Sequence, residues 1–205
     1  MPLGASPASR ESPPHRLVLA SASPRRAALL EQIGWPADLI DAPGVDESVR
    51  PGELPRPHAL RLALAKATAV AARHPGCYVI AADTVVACGR RILPKAEAEA
   101  VARRCLQLLS GRRHRVFGGV AAIAPSGRKS VRVVTSIVTV KRLSGAEIDD
   151  YIESGEWRGK AGAYAIQGRA AALISSLSGS YSNVVGLALF ETRQMLTGLG
   201  YRGPA

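Results

Sequence analysis

Apolar positions along the chain form short continuous runs separated by helical spacing, which predicts a fold of mixed strands and helices. Leu17–Ala20 is a short apolar run of the kind that forms a buried strand. Tyr78–Cys88 is a longer β-branched run, interrupted by the polar pair Asp83-Thr84. Two later strand-like runs, Arg115–Ala124 and Lys129–Leu143, are joined by a Pro-Ser-Gly turn, which indicates a hairpin.

Helical patterns lie between these runs. Ser23 is placed to cap a helix that has Pro24 in its first turn and ends at Gly34. Ser144 and Glu147 form a capping box that predicts a helix to about residue 154. The other predicted elements are helices over Ala59–Arg73, Lys95–Leu109 and Gly186–Gly198, a strand over Ala171–Leu177, and loops over 35–57 and 178–183. This mixture predicts an α/β or α+β class in which helices flank a mixed sheet.

Composition indicates one folded domain. The chain has 205 residues, 47% of them hydrophobic, which is enough for a sizeable core. Residues 1–16 contain four prolines and no apolar run, so we expect a disordered extension rather than a signal peptide. This leaves 17–200 as a single domain. No apolar run approaches the ~18 residues of a membrane span, so no membrane partner is expected.

Charge and cysteine content narrow the function classes. Lys and Arg number 27 against 16 Asp and Glu, and the net charge of +11 favours polyanionic partners such as nucleotides, nucleic acid or anionic membranes. Aromatic residues are only 4%, too few for base-stacking platforms, which argues against a nucleic-acid partner. The three cysteines show no paired spacing, which is typical of a reducing compartment and predicts a cytoplasmic protein.

The segment SASPRR, residues 21–26, lies where the first strand is followed by a helix. The N–H groups of a helix N-terminus suit a phosphate, and Ser21 and Ser23 add hydroxyl donors. Arg25 and Arg26 add guanidinium groups that match phosphate oxygens. Two positive charges in the first turn of a helix are unfavourable, because the helix dipole is positive at that end, and a bound anion would offset this cost. The alternative, that both arginines point to solvent, stays open on this stretch alone.

Asp83 interrupts an apolar strand. A buried carboxylate without a partner is costly, so we expect Asp83 at a strand end or bound to a cation. It is a candidate metal ligand or general base, and a carboxylate hydrogen-bonded to a neighbouring turn is the alternative. Glu47 is a candidate second carboxylate, although sequence spacing alone does not bring the two together. Mg²⁺ fits such a site because phosphates and waters fill its other positions.

Four more residues are candidates for nucleotide contact. Lys66, Lys95 and Lys160 could bind phosphates, although each lysine taken alone is expected to be solvated. Gln167 offers an amide donor and acceptor that could recognise a base edge, and a plain turn residue is the alternative. The chain contains no GxxxxGK[ST], no GxGxxG after a strand and no GxSxG, which argues against P-loop, dinucleotide-binding and α/β-hydrolase folds.

Taken together, these stretches resemble the Maf family of nucleoside triphosphate pyrophosphatases. The matching stretches, in family order over residues 17 to about 192, include LASASPRRAALLEQIG (19–34), VDE (45–47), LALAKA (62–67), AADTVV (81–86), ILPK (92–95), KAGAYAIQG (160–168) and GSYSNVVGLAL (179–189). The resemblance implies a two-lobed Maf/ITPase-like fold with a long mixed sheet and a central active-site cleft. It also implies a homodimer.

The resemblance further implies a reaction that depends on Mg²⁺ or Mn²⁺. In it, water attacks the α-phosphorus of a nucleoside triphosphate and releases the monophosphate and pyrophosphate. Asp83 then takes the general-base or metal role, Glu47 helps to hold the metal, and Lys95 belongs to the catalytic set. The positions that match the phosphate site are Ser23, Arg26, Lys66, Lys95 and Lys160.

The family has branches that differ in base preference. Arg25, Thr84 and Gln167 match the branch that acts on dTTP and UTP, and a neutral Gln suits a uracil or thymine edge. The alternatives are a 7-methyl-GTP or other modified-nucleotide pyrophosphatase, and a non-catalytic basic regulatory or nucleic-acid-binding protein linked to cell-division arrest. The chain departs from the family pattern at Ala96, where Pro is usual, at Gly118, where Thr is usual, and at Ala188, where Pro is usual.

Overall fold

The computed structural model describes residues 16–204. Within that range, seven strands form one sheet in the order β2-β1-β3-β6-β7-β9, with β4 beside β3. Its strands are β1 (Leu17–Leu19), β2 (Leu39–Ile40), β3 (Tyr78–Cys88), β4 (Arg91–Leu93), β6 (Arg113–Ile123), β7 (Lys129–Val140) and β9 (Ile174–Ser178). A small second sheet pairs β5 (Lys95–Ala96) with β8 (Lys160–Ala161).

The helices are α1 (Pro24–Gln32), α2 (Pro55–Ala71), α3 (Glu99–Leu109), α4 (Gly145–Glu153), α5 (Tyr181–Val185) and α6 (Leu189–Leu199), with a 3₁₀ helix over Arg169–Leu173. Strand β1 runs parallel to β2 and β3, and the other neighbours are antiparallel. The sheet is therefore mixed and flanked by helices, which confirms the predicted fold class. The predicted extension 1–16 lies outside the described residues except for Arg16, and the 17–200 domain stays a prediction.

The long strands β3, β6 and β7 pass through two separate hydrophobic regions. The first half of β3 is buried on both faces: Ile80 packs in a cluster with α1 and α6, and Ala81 packs in a cluster with α2. Val86, in the second half of β3, joins a different cluster that contains α3, α4 and the Trp157 segment. Asp83 and Thr84 lie between these regions. The polar interruption seen in the sequence therefore marks the boundary between the two lobes.

Helix α2 lies unusually close to the sheet. In the β3–β6 ladder, Asp83 is paired with Gly119. A Cβ atom at Gly119 would lie 2.1 Å from the backbone oxygen of Ala59 in α2, far below any van der Waals contact. Only a residue without a side chain lets the two backbones approach this closely. Gly119 thereby brings α2, which carries Lys66, against the strand that carries Asp83.

Several boundaries differ from the prediction. Lys95 was expected to begin a helix, but it lies in β5, where it pairs with Ala161, and helix α3 begins only at Glu99. Pairing with a segment 66 positions later in the chain overrides the local helical pattern. Helix α2 begins at Pro55, within the expected loop, because proline is favoured in a first helical turn. That loop also contains β2, and the loop expected over 178–183 contains the start of α5.

Other local predictions are confirmed. Ser144 and Glu147 form the predicted capping box at the start of α4. Ser23 takes the N-cap position of α1, but its side chain makes no capping hydrogen bond. Gly34, just beyond α1, has φ +69°, the left-handed conformation that commonly ends a helix. The first turn of α1 therefore has N–H groups that no side chain caps.

Candidate active site

A cleft lies between the two lobes, beside the midpoint of β3. Two adjoining cavities of about 150 and 160 Å³ share Ser23, Arg26, Lys66 and Lys95 in their walls. The first cavity, of about 150 Å³, is also lined by five other predicted site residues, namely Arg25, Asp83, Thr84, Lys160 and Gln167. The second cavity adds the remaining two, Ser21 and Glu47. All the residues singled out in the sequence as site candidates therefore line one continuous region.

Lys66 lies at the centre of an ion-pair network. Its Nζ donates to Asp83 Oδ1 at 2.7 Å and also contacts Glu47 Oε1 at 2.6 Å. Lys95 Nζ donates to the other oxygen of Glu47 at 2.5 Å. The two carboxylates, which sequence spacing could not bring together, thus meet at one ammonium group. The Glu47–Lys95 pair joins the loop before α2 to strand β5 across the cleft.

Lys66 and Asp83 differ from their expected surroundings. Lys66 was expected to be solvated, yet it is 5% exposed, because α2 packs flat against β3 and β6. Asp83 was expected at a strand end or bound to a cation; it lies in mid-strand, 5% exposed, and Lys66 is the cation. A buried ammonium and a buried carboxylate each need such a partner. The alternative of an Asp hydrogen-bonded to a turn is therefore wrong.

Glu47 is held as a carboxylate. Partial burial opposes its ionisation, but hydrogen bonds and charge from Lys66 and Lys95 outweigh burial and lower its pKa to about 2. Glu47 therefore stays ionised between the two lysines at neutral pH. Asp83 uses one carboxylate oxygen for Lys66, and its Oδ2 makes no hydrogen bond within residues 16–204. That oxygen is available to a ligand in the cleft.

Arg26 is the main cation without an acidic partner in this part of the cleft. Its guanidinium donates to Gly186 O at 2.8 Å, Ser21 Oγ at 2.9 Å and Thr84 Oγ1 at 3.3 Å, all neutral acceptors. No carboxylate of the described residues forms an ion pair with it. Burial lowers its pKa, and the charge of Asp83 counteracts that effect. Arg25 donates to Val185 O, and burial lowers its pKa as well.

The opposite end of the cleft carries Lys160 and Gln167. Lys160 lies in β8 and donates to the carbonyl oxygen of Arg158, and burial lowers its pKa. Gln167 is exposed in the cleft, and its amide makes no hydrogen bond with any residue of the 16–204 range. Tyr164 and Val184 line the same cavity and add apolar surface to its wall. This end combines an unpaired amide with apolar surface, as a site for a flat polar ring requires.

A family model described as Maf-like protein matches residues 16–199. The chain belongs to the Maf family. The dTTP/UTP pyrophosphatase of Paramagnetospirillum magneticum is 66% identical over 185 residues, which cover 90% of this chain and 97% of that protein. The dTTP/UTP pyrophosphatase of Rhodospirillum rubrum is 62% identical, covering 91% of this chain and 89% of that one. The family predicted from the motifs is therefore confirmed, and both relatives carry the name of the predicted branch.

Among solved structures, the nucleoside-triphosphatase / dITP/XTP pyrophosphatase from Mycobacterium abscessus matches this Maf protein with 20% sequence identity and a TM-score of 0.39. The match covers 62% of this chain and 75% of that one. In the part of this chain that the structure describes, no helix is long and apolar enough to cross a membrane. Cys77, Cys88 and Cys105 are all free thiols.

Two features of this Maf protein were not found from the sequence. The first is a cluster around Glu53, whose two carboxylate oxygens accept hydrogen bonds of 2.7 Å from Arg61 Nε and Nη2. Glu53 also contacts His58 Nδ1 at 2.8 Å, and Arg61 donates to Ser48 O. This cluster fastens the loop carrying Glu47 to helix α2. The second is His114, which is buried and shares a hydrogen bond of 2.8 Å with Tyr164 Oη. Neither contact can be predicted from the local sequence pattern, because the folded chain brings the partner residues together.

The departure at Gly118 also has a structural consequence. A Cβ at Gly118 would lie 1.8 Å from Asn183 Oδ1, so the side chain of Asn183 occupies that space. Asn183 Nδ2 donates to Ser136 Oγ at 3.0 Å, while its buried Oδ1 has no partner in the described structure. Asn183 lies in α5, next to the Val184–Gly186 segment that contacts Arg25 and Arg26. Gly118 thus determines how closely α5 packs behind the cleft.

Proposed function

We propose that this protein hydrolyses dTTP and UTP, together with modified pyrimidine nucleotides, to the monophosphate and pyrophosphate. The observation that carries the proposal is the pairing of an acidic and a cationic site in one cleft. Asp83 and Glu47 meet at Lys66, and Arg26 faces the same space with no carboxylate partner. This arrangement fits a nucleotide whose phosphates contact Arg26 and are joined to the acidic site by a bound metal cation. The names of the two relatives support the same substrates.

The phosphate chain is proposed to bind along the shared wall of the two cavities and to reach Lys160, which lies in the wall of the first cavity only. Ser21, Ser23 and the uncapped first turn of α1 offer neutral donors, which favour anions at a helix N-terminus. Arg26 supplies a guanidinium, and Lys66, Lys95 and Lys160 supply ammonium groups from α2, β5 and β8. Charge that develops on phosphate oxygens in the transition state is stabilised by cations fixed in advance.

The donor set is compatible with a divalent cation brought in by the nucleotide. Within residues 16–204, no group of three or more His, Cys, Asp or Glu side chains could hold a metal without other ligands. Mg²⁺ commonly uses only one or two carboxylates, together with substrate phosphates and water. The Glu47 carboxylate meets that requirement, and Asp83, the other candidate ligand, then keeps Oδ2 for proton transfer. When bound, Mg²⁺ or Mn²⁺ would neutralise charge on the phosphate oxygens.

Asp83 is proposed to accept the proton of the attacking water at Oδ2. Lys66 holds the opposite oxygen, Oδ1, and so fixes the plane of the carboxylate. The water oxygen forms a new bond to the α-phosphorus, and the bond from that phosphorus to the bridging oxygen breaks. The bonding electrons leave with the bridging oxygen of pyrophosphate. Asp83 then releases the proton to solvent.

The base is proposed to lie at the end of the cleft that carries Gln167. The Gln167 amide can donate to a carbonyl oxygen and accept from a ring N–H, which matches uracil and thymine. Arg25 and Thr84 take part indirectly, since Arg25 contacts Val185 O and Thr84 contacts the guanidinium of Arg26. A carboxylate at position 167 would repel the base carbonyls and suit a cationic methylated guanine instead.

The test is hydrolysis of a panel of nucleoside triphosphates by purified protein with Mg²⁺ or Mn²⁺, followed by chromatographic identification of the products. We expect dTTP and UTP to give the monophosphate and pyrophosphate. Asp83→Asn should lower kcat by roughly 10²–10⁴-fold, the usual contribution of a general base. Asp150→Asn, an exposed acid on α4, serves as the control and should leave the rate unchanged.

The other outcomes separate the alternatives. Turnover of 7-methyl-GTP in preference to dTTP and UTP would keep the proposed chemistry and overturn the base assignment. No turnover of any nucleotide with either metal would favour the hypothesis of a non-catalytic regulatory protein.

A cytoplasmic location and a homodimer are also proposed. The three free thiols are compatible with a reducing compartment. Sedimentation at several protein concentrations tests the dimer.

A further inference from the structure

The turn that carries Gln167 is short and is held at both ends by the segment around α4. Gly168 N donates to Ala165 O at 3.0 Å, which closes the turn. At its first end, Ala165 N donates to Tyr151 Oη at 3.1 Å. At its second end, the amide N–H of Arg169 donates to Glu156 Oε2 at 2.8 Å. Gln167 itself makes no hydrogen bond within the described range, so these anchors fix the backbone from which its side chain extends.

Glu156 makes a second, steric contact with the same turn. A Cβ built on Gly168 would lie 2.0 Å from Glu156 Oε2 and 2.7 Å from its carboxyl carbon, and the nearest atoms around that position all belong to Glu156. Gly168 has φ −109°, a conformation that any residue can adopt. Glu156 therefore occupies the space beside Gly168, and a side chain at 168 would displace its carboxylate. The carboxylate of Glu156 packs directly on the residue that follows Gln167.

Glu156 is itself fixed by the end of α4. Its backbone N–H donates to Ser154 Oγ at 3.2 Å, and the Ser154 hydroxyl donates to Tyr151 O at 2.6 Å. The next residue, Trp157, is buried and donates from its ring nitrogen to Ile152 O. Tyr151, which anchors the other end of the Gln167 turn, lies on the same helix. Both anchors therefore belong to one rigid unit in the lobe built on α3 and α4.

We propose that Glu156 is a positioning residue for base selection, which holds the Gln167 turn so that the amide presents one fixed edge to a 4-oxo pyrimidine. The inference rests on the proposed function, because it assigns Gln167 to the base. A fixed amide discriminates between uracil and cytosine, whose donor and acceptor patterns are reversed at the same edge. An amide on a loose turn can rotate or shift and accept both.

The experiment compares kcat/KM for UTP and CTP in wild type and in Glu156→Ala, with Mg²⁺ saturating. We expect the UTP-to-CTP ratio to fall by about tenfold in Glu156→Ala, about the worth of one oriented hydrogen bond. Glu156→Gln retains an acceptor oxygen for Arg169 N–H and should restore most of the selectivity. Glu153→Ala, the same loss of an acidic side chain at the exposed end of α4, should leave the ratio unchanged.

A double-mutant cycle tests the steric contact. Gly168→Ala should also reduce selectivity, because its Cβ displaces the Glu156 carboxylate. When Glu156 is already Ala, the added Cβ meets no carboxylate, so Gly168→Ala should cause little further loss. Fully additive effects would contradict the contact-based explanation. Thermal unfolding of each variant shows whether a drop in rate reflects lost folding, which alone would lower turnover of both nucleotides without changing their ratio.

The two proposals fail in different ways. A wild-type protein that hydrolyses no nucleotide overturns the proposed function and with it this inference. One that shows no preference for UTP over CTP overturns the assignment of Gln167 to the base, and this inference falls with that assignment. A selective wild-type protein whose Glu156→Ala variant keeps the same UTP-to-CTP ratio overturns the role of Glu156 alone. A Glu156→Gln variant as unselective as Glu156→Ala also contradicts it, because the acceptor at Arg169 N–H would then not matter.

Discussion

Lys66 Nζ lies 2.7 Å from Asp83 Oδ1, and both side chains are 7% exposed. Helix α2 and strand β3 are thus joined at the boundary of the two lobes by a buried ion pair that also reaches Glu47. Removing one member of such a pair leaves an uncompensated buried charge, whereas removing both does not. The pair is therefore expected to matter for stability as well as for chemistry.

Lys66→Met should destabilise the protein by about 3–5 kcal/mol, the usual cost of leaving one buried charge unpaired. The double variant Lys66→Met/Asp83→Asn should be more stable than Lys66→Met alone, because no buried carboxylate is left without a partner. Urea unfolding at pH 7 measures both differences. Lys129→Met, at an exposed position in β7, is the control. A double variant less stable than Lys66→Met would contradict this account.

Gly119→Ala should destabilise the protein by about 1–3 kcal/mol, since its Cβ would meet the backbone of α2 and not a movable side chain. It should also lower the pyrophosphatase rate, because α2 carries Lys66 towards Asp83. Thermal unfolding and UTP turnover measure the two effects. Gly145→Ala is the matched control, since a Cβ at the first residue of α4 meets no atom within 4 Å. Equal stability of the two variants would disprove close packing at Gly119.

Much of the fold could be predicted from local patterns. Strand β3 has the bounds that its β-branched run predicted, and the capping box at Ser144 begins α4 as expected. The short strands β2, β5 and β8 could not be predicted, since two-residue pairings depend on partners far away in the chain. Local pattern therefore placed Lys95 in a helix when it lies in β5.

The candidate site divides in the same way. Residue type and motif order identified the side chains that line the cleft, because phosphate and metal chemistry require particular groups. The burial of Lys66 could not be foreseen, since it follows from the close approach of α2 at Gly119. The anchors Glu53 and Glu156 were missed for a related reason. Each acts through a neighbour and carries no chemical signature of its own in the sequence.

Arg61→Met should loosen the loop that carries Glu47. Arg61 holds Glu53 with two bonds of 2.7 Å and Ser48 O with a third of 2.9 Å, and Glu53 in turn accepts from Arg50 N. We expect faster hydrogen exchange at the Arg50 amide, and a kcat lower by about tenfold if Glu47 is displaced.

Arg56→Met, an exposed arginine on the same helix, is the control for the loss of charge at the start of α2. It should change neither exchange at Arg50 nor the rate. If Arg61→Met also leaves the exchange rate unchanged, the Glu53–Arg61 contact does not hold the loop.

His114 should make stability depend on pH in the acidic range. Burial lowers its pKa from 6.5 to about 4, so the unfolded chain binds a proton that the folded protein excludes. For a group of this kind the stabilisation is fully present above pH 6.5 and is lost as the pH falls towards 4. A shift of this size corresponds to about 3 kcal/mol.

The measurement is urea unfolding at several pH values between 7 and 4 for wild type and His114→Gln. Gln can still share a hydrogen bond with Tyr164 Oη but does not titrate, so its stability should fall less steeply over this range. Carboxylates titrate in both proteins, and their contribution cancels in the difference. Parallel stability curves for the two proteins would mean that His114 accepts a proton in the folded state at its ordinary pKa.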